Sequence, residues 1–489
     1  MKKIFLLMLC LMLFIALGAC ATEDINGNGV AQPQNGSAQD DQNESGTGET
    51  ATQTGNRHLV WTFWGSAFER DEQMNAAAAF ADQFDDVTVE ALHIPAAGGE
   101  YVARISAMTA AGQAPDVGRM DPAVAFVWAQ DGVFWNIFDL IDNDPEWSRE
   151  MYVDHLFYMY AEGRAFGSTS SINPRAIFYN VEAFREAGVD TPPLTPETAW
   201  QWNEFVDVAK QLTIDMDGRN AHDPDFDSNR TLQYGVYFNP DDLEVLAIFL
   251  DSNQVDLLTE DGNSLDIGNP RALEVFQAYH DLIYLHNVMP IPNDFTAMPD
   301  GPMWLATRQT AMLITGQWVL LDLANHEVDF GIGHLPYFVE PRNMKGAGTQ
   351  VVFSCTEYPE LAWELLKWTS WPGSALNLFS SGLLMPIFRE WYDDPELFAQ
   401  WGENLPARPD SYRTVIVDSL FNGTATPNWV LRINNFNEIW NMNIRSPLQQ
   451  IWLDSQSVED TIEEILAAFP NDIIRGFNPD NHHIMHYRP

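Results

Sequence analysis

The chain has 489 residues, too many for one ordinary core, so two or three domains are expected. Apolar residues make up 46%, and no internal run reaches the ~18 needed to span a bilayer, which predicts a globular body. With 69 acids against 25 bases the formal charge is −44, which excludes nucleic acid and anionic membrane surfaces as partners, because both require clusters of Lys and Arg.

The first predicted segment is an export signal. Lys2 and Lys3 precede an apolar stretch over 4–17 that is too short to be a membrane span. Leu17-Gly18-Ala19-Cys20 follows, in the order of a bacterial lipobox, so residues 1–19 read as a lipoprotein signal and Cys20 as the lipidated first mature residue. An ordinary signal peptide with an incidental cysteine is the alternative. Cys10 would leave with the signal and Cys355 is alone, so no intrachain disulfide framework is expected, and Cys355 in "QVVFSC" reads as a small buried hydrophobe. Residues 21–56 contain neither aromatic nor basic side chains and cannot bury enough apolar surface to order themselves. Segment 20–56 therefore reads as a tether, reaching about 30–35 Å as a flexible coil.

The body begins with a β-branched and aromatic strand, "HLVWTF", ended by Gly65. A helix over 69–84, a strand over 86–94, a helix ending at Gly112, a short strand or turn over 115–120 and a helix from Pro122 follow in β-α order. A second block opens with a strand over 176–180 and a helix to Gly188. Thr195-Pro196 then reads as an N-cap with Pro at the first helical position, and Trp202, Phe205, Val206 and Ala209 recur at helical spacing. A strand over 232–238, an amphipathic helix from Pro270 and a last helix with Ser457 and Asp460 at capping-box spacing complete the pattern. "TAMLITGQWVLLDL" (310–323) reads as a buried strand to Thr315, a turn at Gly316-Gln317 and a helix from Val319, leaving Trp318 at the opening.

In this order, "VWTFWG", "YVARISAMTAAGQAPDV", "IFYNVEAFREAGVDTPP", "WNEFVDVAKQLT", "TRQTAMLITGQWVLLDL", "FGIGHLPYF", "ELAWELLKWTSW", "GLLMPIF" and "SVEDTIEEILAAF" resemble the extracellular solute-binding proteins of ABC transporters, in particular the carbohydrate-binding family that includes the maltose-binding proteins. The resemblance covers about 58–470. Its departures are a stretched "LTPETAWQWNEF", an "AFGSTSSI" without proline, the insert at 215–229 and the tail after Phe469. It implies an α/β, two-lobed, type II periplasmic-binding-protein-like fold, with the lobes joined by a hinge and the ligand in the cleft between them. The lobes are expected at 57–168 plus 325–378 and at 169–324 plus 379–489.

The resemblance also implies the function: a lipid-anchored extracytoplasmic receptor that binds a sugar, in particular an oligosaccharide, and delivers it to ABC permease subunits, acting as a monomer without cofactor or catalysis. Sugar binding needs aromatic faces for C–H stacking and carboxylates or amides for hydroxyl pairs. On the family pattern the candidate contacts are Trp64, Asp121, Ser168, Thr169, Asp241, Asn253, Trp304, Trp318, Gln350 and Trp440. Two rivals stand beside this reading: the same fold with a peptide, polyamine or other metabolite, and a surface-anchored glycan-degrading enzyme. The chain has no Gly-x-Ser-x-Gly, Walker A, His-Glu-x-x-His or Cys-x-x-Cys motif. "DMDGRNAHDPDFD" is only loosely like a calcium loop, since Arg219 takes the fifth position and the closing Glu is missing. His482, His483 and His486 form a terminal cluster that reads as part of a flexible tail.

Overall fold

The computed structural model describes residues 56–96, 99–154, 156–259, 264–292, 301–403, 405–422, 436 and 439–468. The signal, Cys20, most of the tether and the terminal histidines lie outside them. The described residues all fall in one compact unit, Thr54–Pro489.

The N-terminal half alternates strand and helix as the sequence predicts: β1 Arg57–Phe63, α1 Ala67–Ala81, β2 Val87–His93, α2 Glu100–Ala110, β3 Val117–Met120 and α3 Pro122–Gln130. β1 pairs in parallel with both β2 and β3. Its period-2 pattern explains why. Leu59, Trp61 and Phe63 share one face and are buried in one core with Ala76, Ala77 and Phe80 of α1. Thr62 faces the other way and accepts a hydrogen bond from the Tyr101 hydroxyl of α2 at 3.1 Å. β4 Phe157–Ala161 and β5 Arg164–Thr169 follow as an antiparallel pair.

The second half supplies β6 Arg175–Asn180, α4 Val181–Ala187, α5 Trp202–Leu212, β7 Ile214–Asp215, β8 Thr231–Tyr237, α6 Leu243–Ser252, α7 Pro270–Tyr284, β9 Thr310–Gly316 and β10 Phe330–Gly333. β11 Thr349–Val352, α8 Pro359–Ser370 and α9 Val458–Ala468 come last. Among the described residues the strands form two sheets, ordered β2-β1-β3-β11-β5-β4 and β10-β6-β9-β8-β7. Alternate side chains of β6 serve different cores: Ile177 and Tyr179 pack with α5, α6 and α7, while Ala176 and Phe178 join the core that also holds Trp61 and Phe63.

Within 325–378, Phe330 to Gly333 pair antiparallel with β6 and not with the first sheet. Two expectations change. Thr195-Pro196 opens only a single 3-10 turn, Pro196–Thr198; α5 begins at Trp202, with Gln201 as N-cap and its backbone N–H donating to Glu204 at 2.9 Å. Cys355 is exposed, in the turn just beyond β11. The insert folds around Asp215, which accepts from the backbone N–H groups of Asp217, Arg219 and Asp227 and from the Arg219 guanidinium. Burial opposes ionisation of Asp215, yet those donors outweigh it and lower its pKa to about 2.

Candidate functional site

Both sheets present their carboxyl edge to the same stretch of chain. Thr349, which opens β11, pairs with Met120 at the end of β3 and Thr169 at the end of β5. In the other sheet, Gly316 at the end of β9 pairs with Arg175 at the start of β6. Residues 170–174 join these edges and span at most about 18 Å. A second connection, 334–348, runs alongside: Ile172 bridges Gly346, and the Ser171 hydroxyl contacts the carbonyl and N–H of Met385 from a third segment. Ligands of open α/β sheets lodge at such carboxyl edges.

Trp64 stands at the first edge, immediately after β1. Its partly exposed indole meets Tyr101 edge-on at 4.9 Å and has the Arg119 guanidinium over its ring at 5.5 Å. It also lies 2.9 Å from where a Cβ on Gly348 would sit, so any larger residue there would have to displace the ring. Asp121 caps α3 through the N–H of Ala123 at 2.8 Å. The residue is exposed, yet desolvation by the surrounding protein raises its carboxyl pKa.

Trp318 stands at the second edge, in the one-turn helix Gln317–Val319 that follows β9. Its ring folds back over Gly316, where a Cβ would lie 1.9 Å from Cζ3, which is why the run of apolar residues breaks at a glycine. Arg175 covers it at 4.4 Å from the centroid. Gln317 is buried and donates to Asn173 and to the Leu383 carbonyl, tying the indole's backbone to the connection. Arg175 pairs with Glu244, has Asp242 at 3.9 Å, and exchanges backbone hydrogen bonds of 2.9 and 2.8 Å with the Asn343 amide. Beside Asn343 a pocket of about 320 Å3 opens, lined also by Glu197, His334, Tyr337 and Arg342.

The remaining candidates sit elsewhere or are already engaged. Ser168 and Thr169 are fully buried, and the Thr169 hydroxyl donates to Ser171 O and accepts from the Ala347 N–H, a hinge contact. Gln350 is 4% exposed and accepts from Thr369 of α8. Asp241 receives Gln449 and Trp452 on its two oxygens. Asn253 caps the end of α6 and donates to the Arg271 carbonyl and to Glu274. It borders a second, polar pocket of about 440 Å3 between α5 and α7. Trp304 lies in the short helix Gly301–Ala306, 1% exposed and stacked on Tyr237 at 4.7 Å. Trp440 is 6% exposed and stacked on Phe436. Burial alone separates these two indoles from Trp64 and Trp318, and no local pattern distinguishes them.

Sequence reasoning missed Arg119, Glu69, Arg175, Glu244 and Asn343. A signal existed for the arginines: "VGRM" and "PRAIFYN" each place a cation in a run that otherwise reads as buried strand, and a buried cation requires a carboxylate partner. The arrangement as a whole offers indole faces for apolar C–H surfaces and carboxylates for hydroxyl donors. Among the described residues no cluster of three or more metal-ligating side chains occurs.

A profile of bacterial extracellular solute-binding proteins matches residues 75–407. An arabinooligosaccharide-binding protein of Halalkalibacterium halodurans is 23% identical over 273 residues, which are 52% of this chain and 56% of that protein, so the chain spans little more than half of this relative's length in the match. Among solved structures, an ABC substrate-binding protein from Listeria monocytogenes in complex with cycloalternan superposes with a TM-score of 0.70 at 18% identity, covering 86% of this chain and all of that one. A maltose-bound MalE protein of T. maritima gives 0.67 at 19% identity, covering 84% and 98%. These likenesses fix the two-lobed α/β architecture of type II periplasmic sugar-binding proteins as the fold. With the profile spanning most of the body, the chain belongs to the bacterial extracellular solute-binding proteins.

Proposed function

We propose that the protein is the receptor of an ABC importer for a neutral sugar, in particular an oligosaccharide, which it holds between the two lobes and passes to membrane permease subunits. One observation carries this reading: a partly exposed tryptophan stands at the carboxyl edge of each sheet, Trp64 and Trp318, with the carboxylates of Asp121 and Glu244 on the same edges. Stacking on two platforms, one beside each sheet, suits a ligand of more than one ring. The sugar ligands named for the relatives above support the same class. Trp64, Asp121 and Trp318 are the ligand contacts of this proposal. Cys20 carries the lipid anchor, and the receptor works as a monomer.

The acids at the second edge raise a rival, a cationic solute such as a polyamine. Arg175 already pairs with Glu244 and lies near Asp242, which offsets much of that negative charge and favours the neutral ligand. No catalytic step is assigned. The test is titration of unlipidated protein with neutral oligosaccharides and with polyamines, followed by tryptophan fluorescence and small-angle scattering. A saturable signal and a smaller radius of gyration with a sugar are expected, without new reducing ends on prolonged incubation. A response to polyamines alone, or release of reducing ends, would replace the proposal.

A further inference from the structure

Each lobe carries the same three-part arrangement at its edge. Arg119 lies over the Trp64 ring, donates to the Trp64 carbonyl at 3.2 Å and pairs with Glu69. Arg175 lies over the Trp318 ring and pairs with Glu244. Both arginines are buried, at 7% and 3% exposure. Both carboxylates belong to the first turn of the helix that follows an edge-ending strand, Glu69 in α1 after β1 and Glu244 in α6 after β8. A helix N-terminus favours negative charge there, so the acid is held in place and holds the guanidinium in turn.

We infer that Arg119 and Arg175 are positioning residues for the two tryptophan platforms. The inference rests on the sugar-receptor reading for its consequence in binding, but not for its geometry. A guanidinium is planar and delocalised; lying over an indole and paired to a carboxylate, it holds the ring in place. Each indole nevertheless stays partly exposed, so part of its surface is left for a ligand. The empty protein therefore holds each ring ready, and binding does not have to order it. In the second lobe the same arginine also directs Glu244, whose side chain stays 41% exposed, whereas the Glu69 side chain is 8% exposed and serves the clamp alone. A lysine keeps the charge but has no planar group to lay over the indole, so Arg to Lys is not a conservative change at either position.

The experiment is a double-mutant cycle on the unlipidated chain with Arg175→Lys and Trp318→Ala, using maltotriose and arabinotriose as probes. Near-ultraviolet circular dichroism of the empty variants is recorded first. Arg175→Lys is expected to change the tryptophan bands, and the change is expected to vanish when Trp318→Ala is also present. Affinity for a trisaccharide that binds should fall about fivefold or more with Trp318 present and less than about twofold without it. Unchanged bands, or an equal loss of affinity in both backgrounds, would overturn the positioning role. If the wild-type chain binds neither trisaccharide, the sugar reading loses support while the spectra still decide the geometry. Should Arg175→Lys fail to fold, Arg175→Met with Glu244→Gln removes both charges together, leaves no unpaired buried ion, and is read in the same cycle.

Discussion

Three indoles that look alike in sequence differ in what surrounds them. Trp304 has its face taken by Tyr237 and 1% of its surface exposed, whereas Trp64 and Trp318 each keep part of theirs open at a sheet edge. Trp318→Ala is expected to weaken sugar binding at least about tenfold, the equivalent of ~1.4 kcal/mol, with the smaller loss of stability. Trp304→Ala is expected to lower stability by about 3–5 kcal/mol, as truncation of a core aromatic does, and to leave the affinity of the remaining folded protein unchanged. Isothermal titration and urea denaturation of the two variants make the comparison.

His334 is the clearest titrating group. It is 5% exposed and shares a 2.8 Å hydrogen bond with the Ser419 hydroxyl. Desolvation lowers its pKa to about 4, and Glu197 opposes this only in part. Between that value and the ordinary 6.5 the unfolded chain binds the extra proton, so stability is full above pH 6.5 and falls as pH drops toward 4. The loss from this group approaches about 3 kcal/mol, and His334→Gln should flatten that part of the stability–pH curve measured by urea unfolding.

At the scale of elements, the α5 boundary shows how capping overrides a plausible start signal. Pro196 at a first helical position is followed by one 3-10 turn, and the helix proper waits for Gln201 and Glu204. Glu204→Ala should lower stability by about 0.5–1 kcal/mol, seen as a shift of the urea midpoint, while Thr195→Ala should leave it unchanged. β10 teaches a different lesson. "FGIG" is four residues that could edge either sheet, and its pairing with β6 is a long-range choice made by Phe330 and Ile332 joining the core behind that sheet.

For the whole molecule, a formal charge of −44 means that compaction works against self-repulsion. Raising sodium chloride from 10 to 500 mM, which shortens the screening length from about 30 Å to a few ångströms, should raise the unfolding temperature measured by calorimetry. A melting temperature indifferent to salt would show that the acids are already spread far enough apart to ignore one another.

Local patterns in the sequence determined much of this protein: the strand–helix alternation, the helix start at Asp121-Pro122, the break at Gly316 and the order of segments that resembles its family. Each depends on neighbours within a few residues, through pleat, helical period or cap geometry, so each is written in a short stretch of chain. Which tryptophans remain open, which cations lie beside them, and which sheet takes the strand at 330–333 were decided only by the tertiary structure. Those features come from residues far apart, Trp64 against Arg119 and Gly348, or Arg175 against Glu244 and Asn343. Burial and pairing at such separations belong to the packed sheets and their crossings, and no single segment encodes them.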